Sequence, residues 1–144
     1  MNRLKHMLTI HEGKSKYAYE LNGVIHVGIG RNIDRNGGLG LSDEECLYLL
    51  ENDILLFMKE LAQAFAWFGD LDEVRQEALI MICFTMGITR LKKFVKALGH
   101  LEQGLYKDSA KEFLDSRWST QIGERAIVLA GMIETGKYPD GYEV

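Results

Sequence analysis

The chain has 144 residues, 47% hydrophobic and 26% charged, a size and balance that fit one compact soluble domain in one or two lobes. Seventeen Lys and Arg against 21 Asp and Glu leave a net charge of −4, which argues against a strongly basic nucleic-acid binder. Fifteen Gly and one Pro exclude a collagen-like chain, and the short apolar runs, such as Ile54-Leu55-Leu56-Phe57, cannot span a membrane.

In chain order, Met1-Asn2-Arg3-Leu4-Lys5-His6 lacks the apolar centre and cleavage site of a secretory signal. Residues 2–11 read as a helix, with Asn2 as N-cap and Leu4, Met7 and Leu8 at helical spacing. Glu12-Gly13 ends it, because glycine tolerates the left-handed turn that closes helices. Residues 16–35 change period. Tyr17, Tyr19 and Leu21 alternate, Asn22-Gly23 is a two-residue hairpin turn, and Val24 to Gly30 continue as a strand. A third strand is expected near 31–34, followed by a loop at 36–40.

Ser42 with Glu45 forms a capping box for a long helix through about residue 62. Leu47, Leu50, Ile54, Phe57, Met58 and Leu61 mark its apolar face, and six acids against Lys59 make the segment −5. Asp72 caps a helix to Gly87 that is apolar almost all round, the mark of a central core helix. Shorter helices follow at about 91–103, 106–115 and 123–135, with a turn near Arg117-Trp118 and a stop at Gly136. The fold class is α+β: a helix and small antiparallel sheet at one end, a helical bundle at the other, and a long helix between. Such an outline leaves a cleft for a ligand.

The chemistry-bearing residues are few. Cys46 and Cys83 both fall in apolar helical patterns and read as buried free thiols. No metal-ligand cluster, Walker loop or dinucleotide motif occurs, so no metal or organic cofactor is implied. Glu12 stands at the negative end of a helix dipole. That position and partial burial would both favour the protonated acid, which can act as a general acid. Glu20 precedes the hairpin turn and His26 follows it. Two carboxylates facing a cleft are what glycoside hydrolysis needs, one to protonate the leaving oxygen and one to direct water.

Glu12-Gly13, Tyr19, Asn22-Gly23 and Val27-Gly28-Ile29-Gly30 resemble the catalytic hairpin of the T4-type phage lysozymes, glycoside hydrolase family 24. Phe84-Thr85-Met86-Gly87, Phe94 with Leu98, Ser116-Arg117-Trp118, Gln121, Glu124-Arg125-Ala126 and Thr135-Gly136 resemble that family's C-terminal lobe, so the resemblance covers essentially the whole chain.

The resemblance implies one lysozyme-like domain. Its N-terminal lobe is at about 12–40, its connecting helix at about 42–62, and its helical C-terminal lobe at about 63–144 with helix 2–11 packed on it. It also implies an N-acetylmuramidase cutting the β-1,4 bond between N-acetylmuramic acid and N-acetylglucosamine in bacterial peptidoglycan. Glu12 matches the general acid. Glu20 matches the second acid, although seven residues separate it from Glu12 where the family has eight. His26 stands where the family has Thr. A neutral imidazole there can be the base itself, or can attack the sugar and turn inversion into retention.

Gly28, Gly30, Phe84 and Arg125 are the expected substrate-binding residues, with Arg125 pairing with Glu12. Trp118 is expected in the core rather than as a sugar platform. Met81 and Thr85 stand where the family often carries amides. Arg90, Lys92, Lys93 and Lys96 form a basic cluster suited to an anionic wall. The expected setting is an endolysin: a monomer with no nucleic-acid partner and no membrane insertion. It would accumulate in the host cytoplasm and reach the wall through a separate holin. Two competing readings stay open: a lytic transglycosylase using Glu12 alone, and a non-catalytic wall-binding or tail structural module.

Overall fold

A computed structural model describes residues 1–142. The chain divides into two compact units, Met1–Leu50 and a second from Glu51 onward.

The first unit opens with α1 (Asn2–Glu12). Its N-cap is Met1, whose carbonyl accepts from the Lys5 amide at 3.0 Å, so Asn2 lies inside the helix and does not cap it as expected. Gly13 closes the helix at φ 74°, its N–H bonding Thr9 O at 2.9 Å. No α1 residue is buried.

Next come β1 (Ser15–Leu21), β2 (Val24–Gly28) and β3 (Arg31–Asn32), an antiparallel sheet in the order β1-β2-β3. Asn22 and Gly23 both take positive φ, 51° and 78°, the demand of the tight hairpin turn their types announce. Ser15 pairs with Gly28 and Tyr19 with His26, so β1 carries two more residues than β2 between these pairs and bulges there.

The capping box forms as predicted. Ser42 Oγ accepts from the Glu45 amide at 3.1 Å, and Glu45 Oε2 accepts from the Ser42 amide at 2.9 Å. Behind it runs α2 (Asp43–Ala64), which passes from the first unit into the second. Of its expected apolar face only Leu61 is buried, while Leu47, Leu50 and Met58 stay exposed. Cys46 is exposed too, against expectation: helical spacing locates a stripe but does not supply a neighbour to cover it.

The second unit contains a 3-10 turn at Phe68–Asp70 and five helices beyond α2: α3 (Glu73–Leu91), α4 (Val95–Glu102), α5 (Tyr106–Leu114), α6 (Arg117–Ile122) and α7 (Glu124–Thr135). Asp72 caps α3 by accepting from the Arg75 amide at 3.1 Å. Gly87, where the sequence places the helix end, is a kink at φ 78°, after which a further turn runs to Leu91. The helix is not enclosed all round, since Met81 and Phe84 are each 42% exposed.

The core is built from Leu79, Ile82, Leu101, Phe113, Trp118 and Ile133, none more than 1% exposed. Phe94 stacks on Phe113 at 5.5 Å, and Trp118 meets both rings edge-on. Buried polar atoms are paired. Trp118 Nε1 donates to Thr85 Oγ1 at 2.7 Å, Thr85 Oγ1 to Ile82 O at 2.7 Å, and Ser109 Oγ to Ala97 O at 2.7 Å. Cys83 is buried as expected, and burial pushes its thiol up to about 12, so it stays protonated and inert.

Candidate active site

The first unit gathers the hairpin residues. Glu12 is the last residue of α1, and its side chain lies against Gly30 in the β2–β3 turn. A Cβ placed on Gly30 would come within 2.6 Å of Glu12 Oε2 and 3.1 Å of Glu12 Cβ, and Gly30 has φ 68°. The glycine at this position is thus demanded twice, by its backbone and by the glutamate. Glu12 itself is exposed, so the partial burial expected from sequence is absent.

His26 sits mid-strand in β2, half-buried, opposite Tyr19 on β1 and Asn32 on β3. The Tyr19 and His26 rings stack at 5.6 Å with 19° between their planes. His26 Nδ1 lies 3.0 Å from Val24 O. A carbonyl oxygen only accepts, so Nδ1 carries a proton, and in the neutral ring Nε2 holds the free lone pair.

Glu20 pairs with Ile25, one residue out of step with the Tyr19–His26 pair. Side chains alternate along a strand, so Glu20 projects from the face opposite His26. Leu21, paired with Val24, shares the His26 face, and Leu21 is also the position separated from Glu12 by eight intervening residues. The hairpin therefore brings Tyr19 and His26 together and does not bring Glu20 to His26.

Asp34 is the residue that sequence reading missed. Its Oδ2 accepts from the Ile25 amide at 3.2 Å and its Oδ1 from the Asn36 amide at 2.9 Å, while Asn32 Oδ1 accepts from the Asp34 amide at 2.9 Å. The Asn36 and Ile25 amides hold the Asp34 carboxyl below the usual carboxylate range against a small opposing effect of burial, and a charged His26 nearby acts in the same direction. Gly38 closes on this loop so tightly that a Cβ would collide with Asn32 and the Asp34 backbone. The signal was present as Asn32, Asp34 and Asn36 spaced by two before Gly37-Gly38, the residue types that build side-chain-to-backbone turns.

Arg31 ties the sheet to the start of α2. Its Nε donates to Gly40 O at 2.8 Å and its Nη1 to Glu45 Oε1 at 2.6 Å. The Ser42 amide and then Arg31 lower the Glu45 carboxyl, against an opposing effect of burial. Gly28 ends β2 at φ 69°.

The remaining expected residues lie in the second unit. Phe84 is partly exposed on α3 and packs on Phe57 at 4.8 Å between ring centres. Arg125 is exposed in the first turn of α7. Trp118 is 1% exposed, so it packs the core as expected. Arg90 donates to Gln121 Oε1 at 2.9 Å, while Lys92, Lys93 and Lys96 are exposed. Among the described residues no group of His, Cys, Asp or Glu is arranged to hold a metal, and no helix is long and apolar enough to cross a membrane.

A helix that ends on a glutamate beside a small antiparallel sheet, followed by a long helix and a helical unit, defines the lysozyme class of glycoside hydrolases. Residues 9–135 match the phage lysozyme family, and the chain belongs to it. It is 26% identical over 132 residues to "Probable T4-type lysozyme 2" of Dictyostelium discoideum, covering 91% of this chain and 78% of that protein. It is also 26% identical over 163 residues to "Probable T4-type lysozyme 1" of the same organism, covering 94% and 96%. The chain is thus a lysozyme, with bacterial peptidoglycan as the substrate its family implies.

Proposed function

We propose that this lysozyme is an endolysin that hydrolyses the β-1,4 bond between N-acetylmuramic acid and N-acetylglucosamine, with Glu12 as general acid and His26 Nε2 as the group that activates or replaces the attacking water. The observation that carries the reading is the Val24 carbonyl opposite His26 Nδ1, which leaves Nε2 as the reactive nitrogen.

Glu12 gives its proton to the glycosidic oxygen as the bond from that oxygen to the anomeric carbon breaks. In the inverting course, a water oxygen bonds to that carbon and its proton passes to Nε2. In the retaining course, Nε2 bonds to the carbon first and water displaces it afterwards. Tyr19 holds the imidazole plane by stacking. Glu20, on the opposite face of the hairpin from His26, acts as a supporting charge. Gly28, Gly30, Phe84 and Arg125 are the residues proposed to bind the sugar. The same reading makes the protein a monomer that accumulates in the host cytoplasm, is released to the wall through a separate holin, and lyses the host.

The test is digestion of purified peptidoglycan by wild type, Glu12→Gln, His26→Ala and Glu20→Gln. Wild type should yield hydrolysed muropeptides, heavier by one water than anhydro products. Glu12→Gln and His26→Ala should each lose about 100-fold or more of the rate, the scale of a lost acid or base. Near-full activity in His26→Ala with loss in Glu20→Gln would restore the ordinary carboxylate pair. Anhydro products would make the enzyme a transglycosylase, and no digestion would leave a wall-binding or structural module. The anomer of the first product, read by NMR, separates inversion from retention.

A further inference from the structure

The second unit contains a cavity of about 530 Å³ between α3, α7 and the segment that follows α7. This volume lies within the range of small-molecule sites. Met81 from α3 and Val128 and Met132 from α7 supply an apolar lining. Tyr138 and Tyr142 supply aromatic rings, and Glu77 and Asp140 supply two carboxylates. No Lys or Arg is among the described residues that line it.

Interaction with Glu77 pushes the Tyr138 phenol up to about 12, with Glu73 and Asp72 adding negative field. Arg75, a cation on α3 two residues before Glu77, has its own partners. It bonds Asp72 Oδ1 at 2.8 Å, Ile133 O at 2.7 Å and Glu134 O at 3.0 Å, and lies 3.5 Å over the Tyr106 ring. The cavity therefore combines carboxylates, tyrosine rings and an apolar surface, with no Lys or Arg among the described residues that line it.

We propose that this cavity is a binding site for an organic ammonium group, one whose charge meets Glu77 and Asp140 and whose carbons lie on the tyrosine rings and methionines. A neutral apolar ligand would gain nothing from the carboxylates, and an anion would be repelled by them. A strongly hydrated metal ion would gain nothing from the rings and thioethers. Two sources carry this chemistry: the free amine of a wall peptide and a small soluble amine. The site does not depend on which hairpin residues perform the cleavage.

The probe is choline against its uncharged isostere 3,3-dimethylbutan-1-ol, titrated into full-length protein labelled at the methionine methyls and followed by NMR. Choline should shift the Met81 and Met132 methyls saturably, and the isostere should bind at least about fivefold more weakly, the scale of one cation–ring contact. Glu77→Gln should weaken choline binding by about threefold or more. Asp140→Asn, on an exposed residue, makes the same test if Glu77→Gln does not fold. Acetyl-lysine methylamide and cadaverine then separate the sources. Tighter binding of the lysine derivative assigns the site to wall peptides, and tighter binding of the diamine to soluble amines. Equal affinity for choline and its isostere, or no saturable shift, overturns the proposal.

Discussion

The two units are held together by different physics. Every buried residue among those described lies between Leu61 and Ile133, in the second unit, where aromatic and aliphatic side chains enclose one another. The first unit has no buried residue. Hydrogen bonds from Asp34, Asn32 and Arg31, positive-φ turns and the capping box hold it instead. The lesson is a division of labour. Substitutions in the helical unit should act on stability, and substitutions in the hairpin unit on the geometry of catalysis, because a polar scaffold sets atom positions without supplying much burial energy.

The largest expected effect comes from the helical core. Phe113→Ala or Trp118→Ala should cost about 3–5 kcal/mol, read as a lower denaturation midpoint. The Trp118 change also strips Thr85 Oγ1 of its buried donor. A loss below about 1 kcal/mol would mean that the core is not what stabilises this unit.

Gly30→Ala sharpens the contrast. A non-glycine residue at φ 68° costs only about 1–2 kcal/mol, yet the new methyl displaces Glu12. Lytic rate should therefore fall about tenfold to a hundredfold while the denaturation midpoint falls by less than in the core variants. Full activity in a folded Gly30→Ala protein would remove Glu12 from its assigned position.

Asp34 tests the polar scaffold through pH. Its folded-state value lies below the ordinary 3.8, so the unfolded chain takes up a proton first as pH falls. Its contribution is present above about pH 4 and is lost as pH drops through the folded value. Asp34→Asn should flatten that acid limb and speed hydrogen exchange at the Ile25 and Asn36 amides at neutral pH. An unchanged exchange rate at both amides would refute the scaffold role.

The smallest effect should come from the lysines at the surface of the helical unit. Replacing Lys92, Lys93 and Lys96 with Gln should leave stability nearly unchanged and reduce the salt sensitivity of lysis. A rate independent of ionic strength in the wild type would end that role.

Much of the chain was legible because its signals are local. The Asn22-Gly23 turn, the Ser42–Glu45 box, the Asp72 cap and the stops at Gly13 and Gly136 act within a few residues, so the types present dictate the conformation. Asn2 misled for a local reason as well: it is a good cap type, but the cap falls one residue earlier, on Met1. The Cys46 exposure and the open side of α3 at Met81 and Phe84 were not legible, since helical spacing says which side chains share a face but not what lies across from it.

The candidate site divides in the same way. The sequence by itself determined the identity and order of Glu12, Glu20 and His26, the hairpin that carries the latter two, and the likeness to phage lysozymes. Only the tertiary structure decided that Glu20 and His26 face opposite ways. Strand pairing sets that orientation, and a bulge in β1 shifts the pairing without any mark in composition. It also decided that the Val24 carbonyl holds one His26 nitrogen and that Gly30 yields its space to Glu12. These are contacts between backbone and side chain at fixed distances, which residue types alone do not specify.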